Sequence, residues 1–457
     1  MISKTTGGCN HMDYPRETYV HKLTGRIGNG LIKVITGSRR AGKSFLMNSL
    51  FYKNLLDSGI SKSEILRFAF DSDDDLDLLD GFYPEEETKI KQKDGSYLVN
   101  SRKFRAFVKD WTDGRERLFL LLDEVQLLDG FISTLNGFLG RGIYDIYVTG
   151  SNSKFLSSDI ATEFRGRGSQ IHVLPLAFSE FMKGTDDNLQ TAWKDYIETG
   201  GIPIVAKMKD REERRTYLQD LCEQTYLKDV IARNRVRNTA ALSDVLDISA
   251  SLIGSLVNPS RIADTFGTVL GKDITDDTVS QYIGFFEEAF LLSKAVRYDV
   301  KGRKYIGTPY KLYFEDVGVR NARLNFRQIE ETHIMENILY NELRFRGFNV
   351  DIGVVDVSEK TERKDRNGRP IYAAKSLEVD FIATAGDRKY YIQSALSLDG
   401  PTKEDQEKKS LRNIDDSFTK IVVTKNGPHA FRDQNGIITM DLFDFLLEWD
   451  PIGDSKL

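Results

Sequence analysis

Three short apolar runs in the first third of the chain predict buried strands. They cover residues 31–36, 118–122 and 144–149, and each ends in glycine, carboxylate or hydroxyl side chains. Continuous apolar runs of this length, bounded by polar residues, are typical of strands that are covered on both faces. Amphipathic stretches lie between them and predict helices. The pattern therefore indicates an α/β domain with a parallel sheet.

The first run leads into a glycine-rich loop and then into an amphipathic helix. The loop has the form G-x-x-x-x-G-K-S, which wraps phosphate groups with backbone N–H groups and adds the dipole of the helix N-terminus. Lys43 would reach the β- and γ-phosphates, and the hydroxyl of Ser44 would hold Mg²⁺. The predicted nucleotide-binding residues are Gly37, Ser38, Arg39, Arg40, Ala41, Gly42, Lys43, Ser44 and Phe45.

Two adjacent carboxylates, Asp123 and Glu124, follow the second run. After a phosphate-binding loop, this pair suits metal binding and catalysis. Asp123 would hold the Mg²⁺ shell, and Glu124 would orient and deprotonate the water that attacks the γ-phosphate. An Asp-Glu pair that only ends a strand and caps a helix is the alternative.

Polar and basic side chains follow the third run. Ser151 and Asn152 are candidates to contact the γ-phosphate or the attacking water, although a simple turn at a strand end has the same composition. Arg165 and Arg167 come shortly afterwards. Either could act as an arginine finger that neutralises transition-state charge across a subunit interface, or be a solvated, ion-paired arginine.

Four segments together resemble the bacterial and archaeal ATP-binding proteins of the AAA+ superfamily that carry a C-terminal domain of unknown function. The segments are ITGSRRAGKS, LLLDEVQ, YVTGSNSKFLSSDIATEFRGR and LPLAFSEF. The resemblance implies a P-loop NTPase core with a parallel sheet and a helical lid, and ATP with Mg²⁺ as ligands. It also implies that Arg16 and Tyr19, which precede the loop, help to hold the adenine.

The acidic stretch 71–80 alternates aspartates as a calcium-binding loop does. Leu76 stands where such a loop requires glycine, and Phe82 stands where it requires a bidentate glutamate. We predict a solvated acidic loop that binds no calcium.

Beyond the predicted core, residues 13–175, the pattern suggests three further domains. Residues 176–237 have helical spacing and form the predicted lid, and residues 238–327 suggest a winged helix with a hairpin wing. Thr278, Ser280 and Gln281 would then face a DNA groove, and Arg297, Lys301, Arg303 and Lys304 would meet phosphates. Acids on the same helix (Asp276, Asp277, Glu287 and Glu288) would repel DNA. A protein-docking or spacer module is the alternative.

The last predicted domain, residues 328–457, contains a hairpin at 377–395. It resembles the restriction-endonuclease-like fold, in which a D-then-E-x-K hairpin binds Mg²⁺ beside a helix glutamate. Glu336, Glu378 and Asp380 match the acidic positions, but Gln393 and Ala395 replace the glutamate and lysine of the E-x-K. On the same strand face, Lys389 lies about 13 Å from Gln393, which is a long reach for its side chain. The fold class predicted is therefore α/β, with a winged helix and a degenerate nuclease-like domain after the ATPase core. An ATP-dependent nuclease that retains Mg²⁺-dependent cleavage is the alternative.

Composition sets the outer limits of function. The chain has 457 residues, a net charge of -5, two cysteines and no apolar run long enough to cross a bilayer, so we expect a cytoplasmic protein with no membrane partner. One hypothesis is an ATPase that acts on double-stranded DNA, as a homo-oligomer if an arginine finger acts between subunits. The other is an ATP-gated switch that binds a protein partner and turns over slowly.

Overall fold

The computed structural model describes residues 14–81, 83–92, 95–150, 164, 166–271, 273–364 and 370–451. They belong to two compact units, Met1–Pro175 and Leu176–Leu457. Among these residues, no helix combines the length and apolarity that a bilayer crossing needs.

Seven strands are described in the first unit. They are β1 (Ile32–Thr36), β2 (Ile65–Ala69), β3 (Lys89–Lys91), β4 (Tyr97–Val99), β5 (Leu118–Asp123), β6 (Tyr144–Thr149) and β7 (Gly168–His172). Five of those described form a parallel sheet in the order β2–β5–β6–β1–β7, which confirms the predicted parallel sheet. Every residue of β1 and β5 is buried. Because β6 lies between β1 and β5, the carboxyl ends of all three meet at one edge of the sheet, where open α/β sheets bind ligands.

The helices of this unit pack the sheet into an aromatic-rich core. Phe68 of β2 packs against Phe104, with ring centroids 5.0 Å apart. The helical segments are Glu17–Thr24, Lys43–Phe45, Leu46–Phe51 (π-helical), Tyr52–Asp57, Lys62–Glu64 (3₁₀), Asp73–Asp80, Glu85–Thr88, Ser101–Thr112, Val125–Leu127 (3₁₀) and Phe131–Leu139.

The acidic stretch after β2 is a helix, Asp73–Asp80, so the predicted loop is wrong. The Ser72 side chain accepts a hydrogen bond from Asp75 N and caps the helix. Three aspartates fill the first turn, where they face the positive end of the helix dipole. Acids at this position stabilise a helix, and Leu79 anchors it in the core.

Nine strands are described in the second unit, and they form one mixed sheet in the order β15–β16–β14–β13–β12–β11–β9–β10–β8. Their bounds are β8 Leu256–Val257, β9 Leu292–Asp299, β10 Lys304–Phe314, β11 Asn349–Lys364, β12 Pro370–Ala385, β13 Arg388–Ala395, β14 Thr419–Thr424, β15 Ala430–Arg432 and β16 Ile438–Asp441. The hairpin of β12 and β13 turns at Gly386 and matches the predicted pair of strands.

The hairpin expected to be a wing, β9 with β10, belongs to this same sheet. Strand β9 pairs in parallel with β11, with Arg297 opposite Ile352. The predicted boundary at 327/328 therefore does not separate two sheets. The helices of the unit are Phe178–Met182, Leu189–Thr199, Pro203–Lys207, Arg211–Asp220, Leu221–Leu227 (π-helical), Lys228–Asn234, Thr239–Ser251, Pro259–Thr265, Phe266–Leu270 (π-helical), Asp276–Glu288, Val317–Arg323, Glu331–Phe345, Pro401–Arg412 and Leu442–Leu447.

Candidate functional site

The glycine-rich loop bends sharply between β1 and the helix that begins at Lys43. Gly37 has φ +145°, and a Cβ atom there would lie 2.1 Å from the carbonyl oxygen of Val173. Gly42, the residue before the helix, has φ +92°. Only glycine adopts both conformations without strain, because it has no Cβ. The loop can thus turn its backbone around a phosphate-sized ligand.

Lys43 is buried within this loop. Its Nζ donates hydrogen bonds to the carbonyl oxygens of Gly37, at 2.9 Å, and Ser38, at 2.8 Å. The Ser38 Oγ is buried and has no hydrogen-bond partner within the described parts of the chain. A buried hydroxyl normally finds a partner, so this one is placed to serve a ligand in the loop.

Three side chains hold the carboxylate of Asp123 at the end of β5. Ser44 Oγ donates to Oδ1 at 3.1 Å, Asn48 Nδ2 donates to Oδ2 at 3.0 Å, and Thr149 Oγ1 also donates to Oδ1. Burial raises the pKa of Asp123, the hydrogen bonds from Thr149 and Ser44 lower it, and the nearby Glu124 raises it further. The loop serine and the strand-end aspartate are therefore in direct contact, and their predicted roles in holding Mg²⁺ stay predictions.

Glu124 adopts a left-handed backbone conformation with φ +51°. Its N–H donates to Thr149 Oγ1 at 3.1 Å, and Gln126 Nε2 donates to its carboxylate. A non-glycine residue in this conformation costs about 1 to 3 kcal/mol and often marks a functional position. Asp71, which follows β2, is a third carboxylate in this region. Burial raises the pKa of Asp71 most, and the negative charge of Glu124 raises it further.

Arg16 and Tyr19 lie beside the loop. Arg16 donates to the carbonyl oxygens of Leu174, at 2.6 Å, and Ala41, at 3.4 Å, and its guanidinium lies 4.7 Å from the centre of the Tyr19 ring. The Tyr19 hydroxyl accepts a hydrogen bond from Leu174 N. Both residues are buried, and their predicted role in holding adenine stays a prediction. Four predicted loop residues are exposed: Arg39, Arg40, Ser44 and Phe45.

Arg167 lies at the opposite end of β1 from the loop. Its carbonyl accepts a hydrogen bond from Ile32 N at 2.8 Å, whereas the loop follows Thr36. At about 3.3 Å per residue, these strand ends are about 13 Å apart. The exposed Arg167 side chain thus does not join the loop of its own chain. Three other predicted residues lie outside the described residues: Ser151, Asn152 and Arg165.

A second carboxylate cluster lies in the second unit. The structure brings Glu336, from the helix Glu331–Phe345, together with Glu378 and Asp380 of β12. At their centre is the Lys311 ammonium from β10, which lies 2.8 Å from Glu336 Oε1, 2.7 Å from Glu378 Oε1 and 3.5 Å from Asp380 Oδ1. The fourth predicted member, Gln393, is close by, with its Nε2 3.5 Å from Glu407 Oε2.

Sequence reasoning missed four residues of these sites: Asn48, Asp71, Gln126 and Lys311. Lys311 carried a readable signal, because it is the one charged residue in the apolar stretch YKLYF of a predicted strand. A lysine in such a stretch needs a buried anionic partner. Among the described residues, no group of three or more His, Cys, Asp or Glu side chains is arranged to hold a metal ion.

Comparison with known families finds a match in the first part of the chain. Residues 29–182 match the family model described as an AAA domain, so this segment is similar to AAA domains. Such a domain implies nucleotide binding, in agreement with the geometry of the loop. Residues 190–330, after the AAA domain, match a domain of unknown function.

Two relatives match over almost the whole chain. A protein of Haemophilus influenzae is 29% identical over 441 residues, covering 95% of this chain and 98% of the relative. A protein of Methanocaldococcus jannaschii is 25% identical over 436 residues, covering 92% of this chain and 87% of the relative. Both are described as uncharacterized proteins, so they transfer no activity.

Two solved structures with similarity to this chain are the ORC2 and ORC1 proteins of Aeropyrum pernix. ORC2, in ADPNP and ADP complexes, is 12% identical and covers 73% of this chain and 95% of its own, with a TM-score of 0.35. ORC1, in complex with DNA, is 13% identical and covers 68% of this chain and 92% of its own, with a TM-score of 0.28. TM-scores this low do not establish a common fold.

Proposed function

We propose that the AAA domain binds and hydrolyses ATP, with Mg²⁺ as cofactor. The observation that carries the proposal is the 3.1 Å hydrogen bond from Ser44 Oγ to Asp123 Oδ1, with Glu124 as the next residue. A phosphate loop by itself accounts only for nucleotide binding. A loop hydroxyl joined to a strand-end carboxylate, with a second carboxylate beside it, provides the parts that hydrolysis requires.

The loop supplies the phosphate contacts. Gly37 lets the loop pass close to Val173, where any side chain would collide with the Val173 carbonyl oxygen. The Lys43 ammonium now donates to two loop carbonyl groups, and it would exchange these for the oxygens of the β- and γ-phosphates. The Ser38 hydroxyl, which has no hydrogen-bond partner among the described residues, also supports phosphate binding by this loop.

The donor set at the edge of the sheet fits Mg²⁺. Ser44 and Asp123 offer a hydroxyl and a carboxylate oxygen, which are the hard ligands that this ion takes, and Asn48 and Thr149 orient the carboxylate. Bound Mg²⁺ would neutralise charge on the phosphate oxygens. Glu124 then takes the proton of the attacking water, and its position beside Thr149 places it at the strand end.

Glu124→Gln tests this assignment. Glutamine keeps the shape and the backbone but cannot accept a proton, so we expect ATP to bind with unchanged affinity while turnover falls at least 100-fold. Glu116→Gln, at an exposed position just before β5, is the matched control and should turn over as the wild type does. Undiminished hydrolysis by the Glu124 variant would contradict its role as the base. Lys43→Ala should abolish nucleotide binding, and unchanged affinity would overturn the loop assignment.

A second candidate function is an ATP-gated switch with slow turnover, which would act on a protein partner. The contact between Gln126 and the Glu124 carboxylate favours it, because an amide that occupies the carboxylate competes with the attacking water. The signature would be tight ATP binding, feeble turnover, and partner binding in one nucleotide state only.

Action on double-stranded DNA is a further part of the proposal, supported by the exposed basic hairpin at Lys301, Arg303 and Lys304. If these residues meet phosphates, DNA should stimulate ATP hydrolysis, and the stimulation should weaken as salt rises. A homo-oligomer, in which Arg167 serves a neighbouring subunit, predicts turnover per chain that rises with protein concentration. Turnover independent of both DNA and protein concentration would favour the switch.

A further inference from the structure

The Lys311 side chain is among the most buried charged groups of the second unit. It is 3% exposed, and its ammonium contacts three carboxylates from two different elements. An isolated ammonium at this depth would lose its proton or destabilise the fold. Burial alone would lower the pKa of Lys311, but the charges of Glu336, Asp380 and Glu378 outweigh burial and raise it. The lysine is therefore held as a cation.

Several oxygens of the cluster already accept hydrogen bonds from protein donors. Glu336 Oε1 accepts from Lys311 and, at 2.6 Å, from the Tyr313 hydroxyl. Asp380 Oδ2 accepts from Ser394 N at 2.8 Å, while Oδ1 faces Lys311. Both carboxylates are buried. A metal ion would have to displace these donors before it could bind.

The divalent cation that the nuclease-like resemblance implies does not fit this arrangement. Mg²⁺ needs ligands at about 2.0 to 2.1 Å in near-octahedral geometry and keeps several waters. The centre of the three carboxylates is instead filled by an ammonium at ion-pair distances, and a second cation there would be repelled by it. Gln393, which stands where the resemblance calls for a carboxylate, offers only a neutral oxygen.

We propose that the Lys311 ammonium is the resident cation of this cluster and takes the place of a divalent metal. The cluster thus joins β10 to β12 and to the helix Glu331–Phe345 through ion pairs, without a metal ion. A lysine supplied by β10, 84 positions before Ala395, where the resemblance calls for a lysine, cannot be recognised by searching for a local motif. The proposal is independent of ATP hydrolysis, because it concerns only the second unit.

The test compares full-length, nucleotide-free proteins: wild type, Lys311→Met, Asp380→Asn, and Lys375→Met as the control. Lys375 is an exposed lysine of β12, with a surface ion pair to Glu359 at 3.2 Å. The thermal unfolding temperature is measured in EDTA and in millimolar Mn²⁺. We expect no Mn²⁺-dependent shift for wild type beyond that of Asp380→Asn. Lys311→Met should have a lower unfolding temperature in EDTA, because three carboxylates then repel one another, and Mn²⁺ should restore several degrees.

Two results would overturn the proposal. One is a Mn²⁺-dependent stabilisation of the wild type that Asp380→Asn removes, or a Mn²⁺-dependent cleavage of DNA that Asp380→Asn abolishes. The other is a folded Lys311→Met protein that gains no response to Mn²⁺. If Lys311→Met does not fold, the comparison of wild type with Asp380→Asn decides the question alone, since only a metal-binding cluster would make their responses differ.

Discussion

Asn48 donates a hydrogen bond to Asp123 Oδ2 at 3.0 Å, from a position one turn beyond the phosphate loop. The two residues are 75 positions apart in the chain. The amide orients the carboxylate so that its other oxygen, Oδ1, faces Ser44. A residue beyond the phosphate loop can thus control where the proposed metal ligand points.

We expect Asn48→Ala to lower kcat/KM for ATP by about 10- to 100-fold, because partners of a metal-binding carboxylate have effects of this size. Excess Mg²⁺ should recover part of the loss, since the aspartate remains present but is less well oriented. Steady-state hydrolysis as a function of Mg²⁺ concentration measures both effects. Asn54→Ala, in the same helical region, should leave the Mg²⁺ dependence unchanged. The same loss at every Mg²⁺ concentration would argue against the orienting role.

Gln126→Ala should raise basal turnover severalfold if the amide restrains Glu124. Alanine removes the donor that occupies the carboxylate and leaves Glu124 able to meet water. KM should change little, because Gln126 is not part of the phosphate loop. Gln92→Ala, whose amide instead contacts the carbonyl of Ile90, is the control. A fall in turnover would show that Gln126 positions the base rather than restrains it.

The loop predicts a contrast between two glycines of positive φ. Gly37→Ala should destabilise the protein by about 3 kcal/mol or more, because strain adds to a collision with a backbone oxygen. Gly28, with φ +71°, has no atom within 4 Å of the place where a Cβ would stand. Gly28→Ala should therefore cost only about 1 to 2 kcal/mol. Urea unfolding followed by tryptophan fluorescence measures both, and equal losses would contradict the collision.

The pH dependence of hydrolysis should reflect Asp123. Burial raises its pKa, so acidification should protonate the carboxylate above the usual range of about 3.9 and reduce kcat/KM. Asp71→Asn removes one like charge from its surroundings and should move this acidic limb to lower pH. Asp77→Asn, exposed on the acidic helix, should not move it. An unmoved limb in Asp71→Asn would separate Asp71 from the site.

The same shift has a consequence for stability. Because the folded pKa of Asp123 is above the unfolded pKa, the folded state binds the proton more tightly. The contribution of Asp123 to stability is therefore greatest below the unfolded pKa and is lost as pH rises towards the folded pKa. Ionising the Asp123 carboxylate, as the proposed reaction requires, thus lowers the stability of the folded state. Such a loss of stability is common where function requires a buried charge.

The sequence predicts the parallel-sheet core and its glycine-rich loop well, because their signals are local. A buried strand, a glycine loop and a lysine at fixed spacing determine the phosphate site without any tertiary information. The acidic helix Asp73–Asp80 was missed because its aspartates were treated as charges and not as residues that favour the first turn of a helix. Asp71 and Gln126 act through strand ends that meet only in the folded sheet.

Lys311 shows more clearly which contacts cannot be predicted from the sequence. The sequence places Glu378 and Asp380 on one face of a strand, and the structure agrees, but the cation between them comes from a hairpin assigned to another domain. The alternation of side chains along one strand predicts which residues share a face. It does not predict which strand pairs with that strand. The parallel pairing of β9 with β11, which brings the two hairpins into one sheet, has no local signature.

That pairing also determines where the chain can be divided. A protein that ended after residue 327 would lose β11 and leave the edge of β9 at Arg297 with unpaired backbone groups, and Lys311 would be separated from all three of its carboxylates. Exposed edges of this kind recruit strands from other molecules and promote aggregation. Fragments of the second unit intended for crystallisation or partner screening should therefore keep residues 190–330 and the strands β11 to β16 in one polypeptide.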